Sequence, residues 1–161
     1  CFQSKKRFFH EELGWNFRMT NIQAALGLAQ IERLDEFIKK KRSMGRKYLS
    51  LLSGLKNVQL PLERTIYAEN IYWVFGLVLE EYFPDDAEKF MEKLKKFGIG
   101  TSPFFWPMHE QPVIKKYGID SNKSFPVAER IARRGFYIPC GLSLSNIEIE
   151  YVSESIHSLL V

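Results

Sequence analysis

Residues 71–79 carry apolar side chains both at every second position and at the positions between them. Successive side chains of a strand point to opposite faces, so this pattern predicts a strand that is buried on both sides. The run is too short to cross a membrane as a helix, and no longer apolar run occurs in the sequence. Such a strand has to be covered by other elements, which predicts a packed α/β or α+β domain.

The sequence beyond this strand alternates between helix and strand patterns. Helices are predicted where a capping pair or a first-turn proline precedes an apolar stripe. The predicted elements are a helix that starts at the pair Asp85 and Glu88 and ends at Gly98, a strand over 99–105, a short helix over 113–117, a helix from Pro126 to Arg134, a strand over 136–138, and a last helix after the pair Ser145 and Glu148. Together they form a small sheet with helices packed on it.

A long helical pattern covers residues 21–53, with Thr20 or Asn21 as its capping residue and Gly54 as its stop. This length predicts two helices or one bent helix, with Gly45 as the weak point. The first half carries small side chains that would let another backbone come close, either within one domain or in a subunit interface. These small residues are Ala24, Ala25, Gly27 and Ala29.

The charge pattern indicates a solvated surface and argues against a nucleic-acid partner. The formal net charge is +4, but acidic and basic residues are interleaved along the predicted helices, and the basic run 39–42 follows Asp35 and Glu36. Cys1 and Cys140 are too few for a disulfide framework, and neither belongs to a metal-ligand pattern. We therefore expect a cytoplasmic protein that has no structural metal and no membrane or nucleic-acid partner.

No self-sufficient catalytic set can be read from the sequence. It contains no phosphate-binding glycine loop and no G-x-S-x-G elbow, and no pair of histidines has metal-ligand spacing. His10 is interpreted as a loop residue and His157 as a surface or boundary residue. His109 is the candidate ligand-binding residue, because it lies in an aromatic loop between two prolines after a predicted strand.

A second candidate site lies before the long helix. Asn16 and Arg18 are two residues apart, so an extended backbone would point both side chains the same way. An amide donor and a forked cation placed in this way could face one anion, such as a phosphate. The alternative is a structural asparagine turn beside a surface arginine.

Residues 14–35, GWNFRMTNIQAALGLAQIERLD, resemble the G-N-[YF]-R-M-[ST] signature region of the DegT/DnrJ/EryC1/StrS aminotransferases. Further stretches resemble the same family, namely Gly98-Ile99-Gly100-Thr101, His109-Glu110-Gln111-Pro112, Phe125-Pro126-Val127-Ala128-Glu129 and Tyr137-Ile138-Pro139. Residues 104–109 and 134–139 are most similar to the subgroup that aminates C4 of a GDP-linked 4-keto-6-deoxymannose. The resemblance covers essentially the whole chain.

The resemblance implies the C-terminal small domain of a fold-type-I transferase that depends on pyridoxal 5'-phosphate. Residues 1–54 would be an interface segment and long helix leading from a large domain, and residues 55–161 the small domain. The lysine that carries the cofactor would lie upstream, so no catalytic residue is expected here; Lys5 and Lys6 fall after that position. The isolated chain is therefore expected to be inactive and not to bind the cofactor.

The resemblance also implies roles for five residues. Asn16 would contact the cofactor phosphate of the neighbouring subunit in a homodimer, with Arg18 near the same shared site on the substrate side. His109 would line the substrate side, and Phe105 and Trp106 would pack on the sugar or the nucleotide. The implied substrates are glutamate and a nucleotide sugar. The alternative is a non-catalytic module that dimerises through the interface helix.

Overall fold

The computed structural model describes residues 13–118 and 123–160. The chain divides into two compact units, residues 1–35 and 36–161. The domain boundary expected after residue 54 refers to the domains of the complete enzyme, and it stays a prediction. The helices in the described ranges are α1 (Asn21–Ile31), α2 (Leu34–Leu52), α3 (Ala87–Lys96), α4 (Pro112–Lys116), α5 (Pro126–Arg134) and α6 (Asn146–Leu160), and the strands are β1 (Val58–Gln59), β2 (Phe75–Leu79), β3 (Ser102–Pro103) and β4 (Gly135–Ile138).

Of the two predicted alternatives, two helices and one bent helix, the structure has two helices, and the expected break at Gly45 is wrong. Thr20 caps α1 in a capping box with Gln23, whereas the helical pattern is interrupted at Glu32 and Arg33. Helix α2 runs unbroken through Gly45. The glycine does not bend the helix but allows a close contact with another residue. A Cβ at Gly45 would lie 2.3 Å from the Tyr72 ring, so the missing side chain lets the ring lie against the helix.

The four strands form one sheet in the order β1-β2-β4-β3, and every pairing is antiparallel. This confirms the predicted class of a small antiparallel sheet covered by helices, within an α/β fold. One face of the sheet contributes Phe75, Leu77 and Phe136 to the core. Helices α2, α3 and α6 cover that face with Tyr48, Leu52, Phe90, Leu94, Ile156 and Leu160.

The predicted strand over 71–79 is shorter in the structure and begins at Phe75. Tyr72 adopts a left-handed backbone with φ of 50°, and its N–H donates to Asn70 Oδ1 at 2.7 Å. This conformation places the Tyr72 ring in the core at 1 % exposure and leaves Trp73 exposed. The expectation of burial on both faces is therefore wrong for the first half of the run.

Two other boundaries also differ from the prediction. The cap of α3 is Asp86, which accepts the N–H of Lys89 at 2.9 Å, while Asp85 instead pairs with Lys93. The strand expected over 99–105 pairs only at Ser102–Pro103. By contrast, the capping box before α6 and the start of α5 at Pro126 are confirmed.

The Phe104 ring lies on the second face of the sheet, above two glycines of neighbouring strands. A Cβ at Gly76 would lie 2.6 Å from this ring, and a Cβ at Gly135 would lie 1.9 Å from it. The Phe104 and Tyr137 rings are 4.4 Å apart between centroids and meet edge to face. The two glycines therefore provide the space in which Phe104 packs, next to the loop that carries the candidate site.

We expect both Gly76→Ala and Gly135→Ala to lower the free energy of unfolding by about 1–3 kcal/mol, the usual cost of overpacking. In a Phe104→Ala background, Gly76→Ala should cost little further stability, because the close contacts of Gly76 are with that ring alone. In the same background Gly135→Ala should still be destabilising, since the new Cβ would lie 2.5 Å from the Ile131 carbonyl oxygen. Urea unfolding of the single and double variants measures both effects.

Gly100→Ala is the matched control, because nothing lies within 4 Å of the Cβ that it would add. A Gly135→Ala variant as stable as Gly100→Ala would contradict the packing described for Phe104.

Candidate functional site

The candidate site is the loop that follows β3, together with helix α5 against which it lies. His109 sits in a single 3₁₀ turn, Met108–Glu110, which begins after the buried Pro107. Its side chain is only 13 % exposed, and its Nε2 lies 3.0 Å from Oε1 of Glu129 on α5. The Phe125 ring lies 4.8 Å from the imidazole between centroids. The predicted ligand-binding histidine is thus held in one place.

Glu129 lies in the first turn of α5 and is a hydrogen-bond acceptor for three groups. Besides His109, its Oε1 accepts the backbone N–H of Phe125 at 2.7 Å and the Ser124 hydroxyl at 3.2 Å. The N–H of Phe125 is the main cause that lowers the pKa of this carboxyl, with His109 and Ser124 adding to it. Glu129 is therefore a carboxylate at neutral pH, and its contact with His109 is charge-assisted.

Arg133, one turn further along α5, holds the other side of the loop. Its guanidinium donates to both carboxylate oxygens of Glu110, at 2.8 and 3.0 Å. It also lies over the Trp106 ring, 5.2 Å from the ring centroid, in a cation–π arrangement. The i and i+4 positions share one helix face, so α5 contacts the loop at two points.

The predicted aromatic residues lie next to an apolar cleft beside this loop. Phe105 lines a cleft of about 340 Å³ together with Pro107, Ala128 and Tyr137. Both Phe105, at 76 %, and Trp106, at 49 %, keep much of their surface exposed. The structure therefore brings His109, Phe105 and Trp106 onto one loop, with aromatic faces available to a ligand.

Asn16 and Arg18 lie in the other compact unit, in the segment before α1, and both are exposed. The Arg18 N–H donates to Asn16 Oδ1 at 3.1 Å. This is the structural asparagine turn that was the alternative to a phosphate site. This bond uses the amide oxygen, and the Nδ2 donors have no partner among the described residues. No described residue binds the Arg18 guanidinium. The turn thus presents a fixed amide donor and a free cation, which suit a phosphate.

The His109 cluster is also close enough to hold a metal ion, but its oxygens have other partners. Ligand atoms of His109, Glu110 and Glu129 lie within 4.8 Å of one another. Glu129 Oε1 already accepts three hydrogen bonds, and Arg133 occupies both oxygens of Glu110. We therefore assign no metal to it, and the expected absence of a structural metal stays a prediction.

Sequence reasoning missed the α5 residues that hold the loop. The sequence pattern places Glu129 only in a helix-start motif, and it predicts no role for Arg133 or Glu110. The spacing of Glu129 and Arg133 predicts that they share one helix face, but nothing in the sequence shows which loop that face contacts. Lys5, Lys6 and His10 lie outside the described residues, and Nε2 of His157 lies 2.8 Å from the Leu51 carbonyl oxygen.

None of the described helices combines the length and the apolar character that crossing a membrane requires.

The fold and the sequence together define the class of protein. A sugar aminotransferase of known structure, CalS13 from Micromonospora echinospora, superposes with a TM-score of 0.76 at 27 % identity, over 90 % of this chain and 37 % of that protein. Residues 1–157 match the DegT/DnrJ/EryC1/StrS aminotransferase family. The chain belongs to this family, as the signature at residues 14–35 predicted.

Among curated relatives, the chain is similar to two bacterial GDP-perosamine synthases. It is 33 % identical over 153 residues to that of Escherichia coli O157:H7, a match covering 94 % of this chain and 39 % of the relative. It is 31 % identical over 152 residues to that of Vibrio cholerae, covering 94 % of this chain and 40 % of the relative. The chain therefore spans about two fifths of the length of these relatives.

Proposed function

We propose that this chain is the C-terminal part of a nucleotide-sugar aminotransferase that depends on pyridoxal 5'-phosphate. The complete enzyme would move an amino group from glutamate to C4 of GDP-4-keto-6-deoxymannose and so form GDP-perosamine. The observation that carries the proposal is the match to GDP-perosamine synthases over 94 % of the chain. The conformation of the loop around His109 agrees with it, because a ligand site needs side chains with fixed orientations.

On the cofactor side, the chain would supply part of a phosphate site. Asn16 would donate from Nδ2 to the cofactor phosphate of the partner subunit, and the Arg18 guanidinium would lie at the same shared site. When bound, pyridoxal phosphate carries the amino group between the two substrates. The lysine that holds it would lie upstream of this chain, so we expect the isolated chain to be inactive.

On the substrate side, His109 would contact the sugar, with Phe105 and Trp106 packing on the sugar or the base. Exposed aromatic rings offer a large apolar face to both kinds of group. The homodimer would cover α1, which buries none of its own residues in this structure and exposes Ile22, Leu26 and Ile31. A cytoplasmic location and the lack of nucleic-acid and membrane partners belong to the same proposal.

The proposal predicts that His109→Ala acts on one substrate and not on the other. We expect kcat/KM of the complete enzyme for the keto sugar to fall about 10- to 100-fold, the loss of one hydrogen bond to a polar group in a desolvated site. The kcat/KM for glutamate should stay within a few-fold of wild type. Steady-state assays in which each substrate is varied in turn measure both values.

His157→Ala is the matched control, since this histidine lies on α6 and contacts the Leu51 carbonyl oxygen of α2. A complete enzyme that does not aminate GDP-4-keto-6-deoxymannose would overturn the proposed substrate. A His109→Ala variant that slows both substrates equally would overturn the role of His109.

A further inference from the structure

The contact between His109 and Glu129 decides which imidazole nitrogen carries the proton of the neutral ring. A carboxylate only accepts hydrogen bonds, and Glu129 Oε1 lies 3.0 Å from Nε2. Nε2 must therefore carry a proton, so the neutral ring is the Nε2–H tautomer and Nδ1 is an acceptor. No described residue forms a hydrogen bond with Nδ1.

Glu129, and not its neighbour Glu110, is the acceptor that sets this tautomer. Glu110 lies 3.9 Å from the same Nε2, which is too far for a hydrogen bond, and Arg133 binds both of its oxygens. The carboxylate of Glu129 is itself held by the N–H of Phe125 and the hydroxyl of Ser124. A carboxylate fixed in this way can fix a ring in turn.

We infer that Glu129 is a positioning residue that sets the orientation and tautomer of His109, so that Nδ1 accepts a hydrogen bond from a hydroxyl of the substrate sugar. The inference rests on the proposed function, in which His109 lines the sugar side of the site. Glu129 acts through His109 and does not touch the substrate. Its role is the one that carboxylates have behind ligand-binding histidines generally.

The structure supplies an unusually close control variant. All three hydrogen bonds to Glu129 involve the same atom, Oε1. Glu129→Gln keeps an oxygen that can accept all three, although it removes the charge and replaces the second oxygen with an NH2 group. Glu129→Ala removes the acceptor. If orientation is the role of Glu129, the glutamine variant retains it and the alanine variant does not.

The tautomer is measured directly by ¹⁵N NMR of the 161-residue chain at about pH 9, where an ordinary imidazole is neutral. The His109 signals are assigned by their loss in His109→Ala. We expect the Nε2–H tautomer in the wild type and in Glu129→Gln, and a mixture of tautomers in Glu129→Ala. An Nδ1–H tautomer in the wild type overturns the inference, and this result needs no Glu129 variant to fold.

Kinetics of the complete enzyme test the consequence for the substrate. Glu129→Ala should lower kcat/KM for the keto sugar about 10- to 100-fold. It should leave kcat/KM for glutamate unchanged, and Glu129→Gln should stay within a few-fold of wild type. The double variant His109→Ala/Glu129→Ala should be no slower than His109→Ala alone, because Glu129 acts through that ring. Glu154→Ala, which removes an exposed carboxylate on α6, serves as the unchanged control.

Additive losses in the double variant would overturn the inference, and so would a Glu129→Gln variant as slow as Glu129→Ala. If the wild-type enzyme fails to aminate the keto sugar, the proposed function fails. The NMR result still decides separately whether Glu129 positions His109.

Discussion

Asn16→Ala should weaken binding of pyridoxal phosphate to the complete enzyme by about 10- to 100-fold. The N–H of Arg18 donates to the amide oxygen of Asn16 at 3.1 Å, so this turn fixes the direction of the Nδ2 donors. A hydrogen bond to a charged group contributes about 1.5–3 kcal/mol, which corresponds to this range of affinity. Titration of the cofactor-free enzyme with pyridoxal phosphate measures the change.

Asn16→Asp is the informative companion to this variant. An aspartate can still accept the N–H of Arg18, so it keeps the turn, but it replaces the donor with a negative oxygen that repels phosphate. We therefore expect it to bind the cofactor no better than Asn16→Ala. An Asn16→Asp enzyme with wild-type affinity would show that the asparagine serves the turn alone, which is the structural alternative.

Arg134→Ala should lower the free energy of unfolding of the chain by about 3 kcal/mol, because it leaves several carbonyl groups without their charged donor. The part-buried guanidinium donates to the carbonyl oxygens of Leu79 at 3.3 Å, Phe83 at 2.9 Å and Asp85 at 2.7 Å, and also to that of Glu80. These carbonyls lie along the connection between β2 and α3. One side chain thus fixes the path of the chain between a core strand and a core helix.

Arg130→Ala is the matched control, one turn earlier on the same helix. Among the described residues its guanidinium contacts side chains alone, those of Gln59 at 3.3 Å, Glu80 at 3.2 Å and Glu81 at 3.5 Å. Side chains can turn towards water when their partner is lost, so we expect a cost of about 1 kcal/mol or less. Arg134→Lys should fall between the two, since an ammonium cannot reproduce the fork of donors. Urea unfolding midpoints rank the three variants. Equal losses of stability for Arg130→Ala and Arg134→Ala would contradict the proposal that Arg134 fixes the connection between β2 and α3.

The helix ends were predictable because their determinants are local. Thr20 with Gln23 and Ser145 with Glu148 form capping boxes through backbone and side-chain atoms only three residues apart. The cap of α3 was misplaced by one residue, since Asp85 and Asp86 are equally good capping residues and Lys93 attracts the first of them. Local patterns therefore located α3 to α6 to within a few residues, but they placed the break between α1 and α2 at Gly45 instead of at Glu32 and Arg33.

The strand starts and the support of the site were not predictable, because distant contacts determine them. Tyr72 leaves the strand conformation since its ring fits against Gly45, a residue of α2 that the sequence suggested as a bend. In the same way, His109 was found from its loop, but Glu129 became recognisable only once α5 was seen beside that loop. Periodicity reports which residues are buried, and it does not report which elements contact one another.

The central claim is that this chain supplies Asn16 to the cofactor site of a neighbouring subunit. Its most direct test is a hybrid dimer of the complete enzyme. One subunit carries Asn16→Ala, and the other lacks the cofactor-bearing lysine expected upstream of this chain. The assay uses a cofactor concentration that saturates the wild-type enzyme but not Asn16→Ala. If Asn16 acts across the interface, the hybrid contains one intact site and regains about half of the wild-type activity, although neither parent homodimer reaches that level under the same conditions. If Asn16 acts within its own subunit, both sites of the hybrid are defective and mixing restores nothing, a result that would contradict the claim.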